Sequence, residues 1–195
     1  MVPEFAPSYT FTASVVPPPP NSSRAPAIGA NEFCEPELSP WPIRNESLQY
    51  LSDLEPTAFT ETPLLNGTVL QGLQRDRGLR SGQLLRIGRQ TYPKGLLLPA
   101  HGRVTYALDG RFNRFAATAG IDGAREGRDV PGSAKASVIV DGRTAWTEVL
   151  RAGQPPVAVD VGNLKGAKEI VIDVDFADSY DAGARAVFAN AMLIR

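Results

Sequence analysis

The sequence has little of the chemistry that most enzymes use. Its 195 residues include one cysteine and one histidine. A single cysteine, Cys34, excludes a disulfide within the chain, so the fold must be stabilised by a packed core. No histidine stands beside Cys34, and His101 lies in no triad-like context, so neither a cysteine nor a serine nucleophile has an evident base. These scarcities predict a protein that is not an enzyme.

Charge of one sign and long apolar runs are also missing. The 20 Lys and Arg residues are balanced by 21 Asp and Glu, for a net charge of −1, so the basic excess typical of nucleic-acid binding is absent. No stretch approaches the roughly 18 apolar residues of a membrane span. Residues 1–16 lack the basic start and apolar run of a signal peptide. The sequence therefore predicts no nucleic-acid partner and no membrane span, and it leaves cytoplasmic and exported locations open.

Proline, in contrast, is concentrated in the first 45 residues. Pro17 to Pro20 form a run, and further prolines stand at 26, 36, 40 and 42. Because proline fixes φ and lacks a backbone donor, this composition predicts a disordered or extended N-terminal arm over residues 1–45 that acts as a linker or tail. A docking motif for an aromatic groove is the alternative, but no basic residue flanks the run to orient it. Residues 46–195 are then the folded domain.

From Tyr50 onward the apolar residues alternate with polar ones, as in strands with one buried face. Two Asp-Gly dipeptides, at 109–110 and 141–142, predict hairpin turns, which would pair 104–108 with 111–118 and 136–140 with 144–149. Further short strands are predicted at 84–87, 94–98, 157–161 and 189–194, and no window shows a helical stripe. The pattern predicts an all-β sandwich or barrel whose bulky core residues are Phe112, Phe115, Trp146, Phe176 and Phe188.

A series of short signatures runs through this region in a fixed order. It comprises Tyr50-Leu51-Ser52-Asp53-Leu54, Arg86-Ile87-Gly88, Lys94-Gly95-Leu96, Val104-Thr105-Tyr106, Gly120-Ile121-Asp122, Val140-Asp141-Gly142, Val159-Asp160-Val161 and Ala189-Asn190-Ala191-Met192-Leu193. In order and spacing the series resembles the NPCBM-type carbohydrate-binding domain, over about residues 48–195. The resemblance implies a jelly-roll-like antiparallel β-sandwich that serves as a non-catalytic accessory module. It further implies a bacterial, extracellular or cell-surface setting, a glycan or cell-surface polysaccharide as partner, and a catalytic domain upstream.

Sugar recognition needs an aromatic face for the C–H surface of a pyranose and polar side chains for its hydroxyls. The candidate platforms are Tyr92, Trp146, Tyr180 and Phe188, and the candidate polar partners are Asn113, Asp122, Arg185 and Asn190. Trp146 alternates with Thr144 and Glu148, which is compatible with an outward side chain, but an aromatic residue on a sandwich strand belongs more often to the core than to a sugar platform. Phe188 is expected to pack inward. Arg185 is the first polar candidate.

Several positions depart from the family pattern. Pro99, Gly123, Ala184 and Val187 stand where polar or aromatic residues are usual in the family. These departures favour a second hypothesis, a structural or protein-interaction domain that keeps the fold and has lost the sugar site. The two hypotheses stay open at the level of sequence.

An acidic stretch near the C-terminus raises the question of a metal. Asp173, Asp175, Asp178 and Asp181 supply the carboxylates that calcium prefers, but without the glycine and terminal glutamate of a dedicated calcium loop. A solvated strand edge that discourages aggregation is the favoured interpretation. The sequence thus predicts no metal and no cofactor, with calcium as the alternative.

Overall fold

The computed structural model describes residues 48–62, 72–78, 82–122, 132–177 and 185–195. Its strands, in chain order, are β1 (Leu48–Tyr50), β2 (Ala58–Glu61), β3 (Gln74–Arg75), β4 (Leu85–Ile87), β5 (Gln90–Tyr92), β6 (Gly95–Pro99), β7 (Gly102–Ala107), β8 (Arg114–Ile121), β9 (Ser133–Val140), β10 (Arg143–Arg151), β11 (Val157–Val161), β12 (Glu169–Phe176) and β13 (Arg185–Ile194). A single 3₁₀ turn, Leu51–Asp53, follows β1 in this part of the chain. None of the described segments forms a helix long and apolar enough to cross a membrane.

The strands form two main antiparallel sheets. One has the order β11-β8-β13-β6-β3, with β1 also paired to β13, and the other has the order β10-β9-β12-β7-β2. The strands β4 and β5 form a separate hairpin. The architecture confirms the predicted all-β sandwich.

The core lies between the two main sheets. Alternate residues of β8 and β12 point inward, so that Phe115, Ala119, Ile170 and Ile172 have no exposed surface. Of the predicted core residues, Phe112, Phe115 and Phe188 are fully buried, while Trp146 and Phe176 pack against the core and are partly buried. Sequence reasoning missed Tyr106, whose ring is also completely buried.

The β4–β5 hairpin adds a small third layer on the outer face of the first sheet. Leu85 and Ile87 pack there against Leu97 and Val187. Gly120 on β8 makes this possible, because a Cβ at that position would lie 2.3 Å from Cγ2 of Ile87. The face of the first sheet that would otherwise meet solvent is therefore partly covered.

A second glycine, Gly95, allows two backbones to approach closely. Gly95 has φ +142°, and a Cβ there would lie 2.4 Å from the carbonyl oxygen of Phe188. No side chain fits in that space. The position therefore requires glycine for both conformational and steric reasons.

The two Asp-Gly dipeptides behave differently. Asp141-Gly142 forms the predicted hairpin turn between β9 and β10, with both residues at positive φ. The predicted pairing of 104–108 with 111–118 is wrong, because β7 and β8 belong to different sheets. At Asp109-Gly110 the chain crosses between the sheets, and Gly110 N donates to the carbonyl oxygen of Ala167 rather than across a hairpin.

Two of the sequence signatures meet at Lys94. Its ammonium binds the carboxylates of Asp53 and Asp76 and lies 5.4 Å from the ring centre of Tyr50. Burial alone would lower the pKa of Lys94, but hydrogen bonds to both carboxylates raise it above its ordinary value. The ion pairs thus tie the turn after β1 to the start of β6.

Candidate functional site

One end of the sandwich gathers most of the polar residues that the sequence singled out. Here β8 and β12 end, β9 and β13 begin, and the short connection from β6 to β7 turns, as the pairings Ala186–Ile121, Arg185–Pro99 and Phe176–Ala134 show. The segments 123–131 and 178–184, which lie outside the described residues, connect strands at this end. We call it the loop end.

Asp122 and Arg185 meet at the loop end in a buried ion pair. Nε of Arg185 lies 3.6 Å from Oδ2 of Asp122, and the two side chains are only 10% and 2% exposed. The backbones are joined as well, since Asp122 N donates to the carbonyl oxygen of Arg185 at 3.0 Å. Nε of Arg185 has no hydrogen-bond acceptor among the described residues. The site therefore holds a buried donor beside a carboxylate, an arrangement suited to a polar ligand.

His101 brings a ring to the same end. It lies in the two-residue connection Ala100–His101 between β6 and β7, with φ +57°. Its ring centre is 5.0 Å from that of Phe176, and its Nε2 lies 2.9 Å from Oδ1 of Asp175. The side chain of His101 is 46% exposed. The half-exposed His101 ring thus lies against Phe176 at the loop end, with the two ring planes tilted by 30°.

Sequence reasoning did not place His101 in the site, and it considered Asp175 as part of a solvated strand edge, with a calcium ligand as the alternative. The available signals were the single histidine and an aromatic residue at the end of an alternating strand. Neither signal indicates that the two rings are in contact, because His101 and Phe176 are separated by about half of the domain sequence.

Two acidic residues of β12, Asp173 and Asp175, lie beside basic side chains. Arg103 Nε donates to Asp173 Oδ1 at 2.8 Å, and this hydrogen bond raises the pKa of Arg103. Together with His101, Asp175 and Thr60, this pair lines an outer pocket of about 330 Å³. The described segments contain no cluster of three or more side chains able to hold a metal, and Asp178 and Asp181 lie outside them.

The predicted aromatic platforms are not gathered at the loop end. Phe188 has no exposed surface, and Trp146 is half-buried with its ring edge-on to Phe188 at 6.3 Å. Trp146 packs inward rather than standing free on its strand. Tyr92 lies on the β4–β5 hairpin, where its hydroxyl donates to Gln90, and Tyr180 lies outside the described residues.

The remaining polar candidates also have structural settings of their own. Asn190 occupies a bulge in β13 at φ +49°, and its N–H donates to the carbonyl oxygen of Lys94. Asn113 is exposed at the opposite end, where its N–H donates to the carbonyl oxygen of Ile194. At ~3.3 Å per residue along β13, Asn113 is roughly 30 Å from Arg185. Of the seven candidates within the described residues, Asp122 and Arg185 are brought together at the loop end, while Trp146 and Phe188 meet in the core.

A two-sheet antiparallel sandwich of this kind is the architecture of β-sandwich carbohydrate-binding modules. Residues 47–194 match the family model of the NPCBM/NEW2 domain. The chain belongs to this family, which confirms the resemblance seen in its sequence.

Solved structures agree with this assignment. A structure from Clostridium perfringens ZmpB that contains a catalytic domain with the CBM51-1 and CBM51-2 domains is 28% identical, with a TM-score of 0.64, and the match covers 75% of this chain and 15% of that one. The CBM51 of Clostridium perfringens GH95, in complex with methyl-galactose, is 19% identical with a TM-score of 0.65, over 75% and 99% of the two chains. The structure of the CBM51-2 and INT domains of Clostridium perfringens ZmpB with GlcNAc is 24% identical, with a TM-score of 0.66. The match covers 76% of this chain and 32% of that one.

One curated protein extends the comparison. A protein of Renibacterium salmoninarum named as an endo-alpha-N-acetylgalactosaminidase is 29% identical over 113 residues. The match covers 58% of this chain and 7% of that protein. Domains of this type therefore occur within much longer chains that also carry catalytic domains.

Proposed function

We propose that residues 46–195 form a non-catalytic carbohydrate-binding module that binds a glycan at the loop end. The observation that carries the proposal is the buried Asp122–Arg185 pair, whose arginine Nε lacks an acceptor within the described structure. A guanidinium held by a carboxylate is a fixed hydrogen-bond donor for a sugar hydroxyl.

The ring pair of His101 and Phe176 supplies the complementary apolar surface. A pyranose presents C–H groups on one face, and these pack on aromatic rings. The partly exposed His101 ring lies at the same end as Arg185. A saccharide at the loop end would therefore find both kinds of contact that sugar recognition needs.

The acidic side chains at this end are engaged by basic neighbours. Asp122, Asp173 and Asp175 lie beside Arg185, Arg103 and His101, respectively. In this proposal the carboxylates hold the neighbouring side chains in position for binding, and no step of catalysis is assigned to them.

The relatives suggest the setting and the first ligands to test. Their names pair such modules with a catalytic domain and with methyl-galactose or GlcNAc. We infer that this module targets an attached catalytic domain to a glycan outside the cell or on a cell surface. Galactose- and N-acetylglucosamine-terminated glycans are the first candidates.

A protein-interaction role is the alternative, and one observation favours it. Phe188 and Trp146, two of the predicted platforms, pack into the core and leave no free ring. A domain that lost its sugar site would be expected to lose such rings first.

A glycan-array screen of the full chain, with and without calcium, separates the two roles. We expect binding confined to a few glycans, with about a tenfold loss of affinity on removal of the His101 ring or the Arg185 guanidinium. The variants are His101→Ala and Arg185→Met, and the matched control is Arg114→Met, an exposed ion-pair arginine far from the loop end. The calcium arm tests the metal alternative.

A blank array from folded protein would overturn the sugar proposal and favour the interaction role. Equal loss of affinity in Arg114→Met would show that the effect is not specific to the loop end. Circular dichroism of each variant establishes that it is folded.

A further inference from the structure

The opposite end of the sandwich holds a second pocket. It lies between the turn that joins β9 to β10 and the connection from β11 to β12, and its volume is about 500 Å³. Its floor is formed by Leu164 and Ala167, which are buried, and its rim by exposed polar and glycine residues. We call it the hairpin pocket. The described length of β9, at ~3.3 Å per residue, places it roughly 25 Å from the loop end.

Two cations on its rim have no partner. Arg143 and Lys165 are exposed, and neither makes an ion pair or a side-chain hydrogen bond within the described residues. They stand on different elements, Arg143 on β10 and Lys165 in the connection after β11, so they face the pocket from two sides. Both positive charges are available to a ligand.

The acidic residue of this pocket is already engaged. Oδ1 of Asp141 accepts hydrogen bonds from Lys168 N at 2.9 Å and from Glu169 N at 3.0 Å. These bonds fix the β11–β12 connection against the hairpin and leave the carboxylate turned to the backbone. It does not pair with Arg143 or Lys165 in the described structure.

Other arginines near this end are neutralised. Arg114 forms two hydrogen bonds with Asp160, and Arg111 pairs with Asp109 at 3.1 Å. Arg143 and Lys165 are thus two unpaired cations that line one pocket, although other exposed cations, such as Arg89 and Lys168, also have unpaired side chains among the described residues. A concave site with two free cations attracts an anion.

We propose that the hairpin pocket binds the carboxylate of an acidic saccharide, as a second site that is independent of the loop end. The guanidinium of Arg143 can hold a carboxylate through two hydrogen bonds, and Lys165 adds a point charge. The volume is that of a small-ligand site. The rim offers glycine backbone and the Asn163 side chain, which suit a hydroxylated ligand, beside the apolar Val140 and Ala145.

Two sites on opposite ends would let one acidic polysaccharide bind twice. Binding at the first site then raises the effective concentration of sugar at the second. The assignment goes beyond the proposed loop-end function, because neither site needs the other to bind its own ligand.

The test titrates the full chain with tri-galacturonic acid and with its methyl ester, which has the same shape and no charge. Isothermal calorimetry measures affinity, and amide chemical shifts locate the site. We expect the acid to bind and the ester to bind at least tenfold more weakly. The shifts should be confined to residues 140–145 and 161–167.

The decisive variants are Arg143→Gln, Lys165→Gln and the double variant, with Arg89→Gln as the control. Arg89 is exposed on the β4–β5 turn, so its replacement makes the same charge change elsewhere. Each single variant should weaken binding of the acid about fivefold and the double variant more than tenfold. Affinity should also fall as sodium chloride rises from roughly 50 to 500 mM.

The assignment would be overturned if the acid and the ester bound with equal affinity, or if the acid did not bind at millimolar concentration. It would also be overturned if the amide shifts fell on other residues, or if the double variant bound the acid as tightly as the parent. Displacement of the acid by equimolar sulfate would identify a general anion site and refute a saccharide site. Arg185→Met and His101→Ala should leave this binding unchanged, so failure here is distinct from failure of the loop-end proposal.

Discussion

Removing one member of the Asp122–Arg185 pair should destabilise the domain far more than removing both. Asp122→Ala would leave the Arg185 guanidinium buried without its counter-charge. With an effective dielectric constant of about 20, unit charges separated by the observed 3.6 Å attract by about 5 kcal/mol. Breaking such a buried pair from one side costs about 3–5 kcal/mol in the free energy of unfolding.

The double variant Asp122→Ala/Arg185→Met removes both charges and fills most of the arginine volume with an apolar side chain. Replacement of a buried pair by apolar groups is often close to neutral, so the coupling energy should be at least about 2 kcal/mol. Urea unfolding of the parent, both single variants and the double variant measures it. The Arg114–Asp160 pair is the control, since both side chains are more than half exposed and its disruption should have a much smaller effect.

Strictly additive effects would refute this reasoning, because they would mean that the two charges do not interact in the folded state. A loss in Asp122→Ala as small as the loss in Asp160→Ala would refute it as well. Water would then solvate Arg185, and the claim of a buried donor at the loop end would fail with it.

Three further variants test other parts of the fold. Gly95→Ala should lower the free energy of unfolding by about 3 kcal/mol or more, because the new Cβ would meet the Phe188 carbonyl oxygen. An unchanged melting temperature would contradict this close approach. Tyr106→Phe should be neutral or stabilising by about 1 kcal/mol, since the buried hydroxyl has no partner among the described residues; a clear loss in urea unfolding would reveal one. Burial raises the pKa of Asp76, but hydrogen bonds from Lys94 and Gly95 outweigh it and lower the pKa below the ordinary 3.8. Its contribution is therefore present above that pH and lost as the pH falls below it, so Asp76→Asn should flatten the acid limb of stability below about pH 3.8, and an equally steep limb would count against this.

The two Asp-Gly dipeptides show how far local sequence predicts this fold. Both supply positive φ, and both do form turns. The sequence cannot say which strands a turn joins, because that depends on distant pairing. Leu108 N bonds to Lys168, which directs β7 into one sheet, while Asn113 bonds to Ile194 beside the other.

The sequence predicted two residues of the candidate site, but it did not predict how they are arranged in space. The alternating patterns and the resemblance placed Asp122 and Arg185 among the candidates, but their contact depends on the register that pairs Ala186 with Ile121. The alternation also places the Phe188 side chain on one face of its strand, but it does not show which of the two faces is buried. His101 was missed because its partners come from β12, far along the chain.

The pairing of β1 with β13 sets Leu48 directly opposite Ile194. Neighbouring strands lie ~5 Å apart, so the sandwich is entered and left at almost the same point. A domain with this property can be spliced into a surface loop of another fold with little displacement of that loop's two ends. Tension applied to the two ends would break the β1–β13 pairing one residue pair at a time, starting at Leu48 and Ile194. The loop end lies roughly 30 Å along β13 from that pair and would stay folded until the β1–β13 pairing had separated.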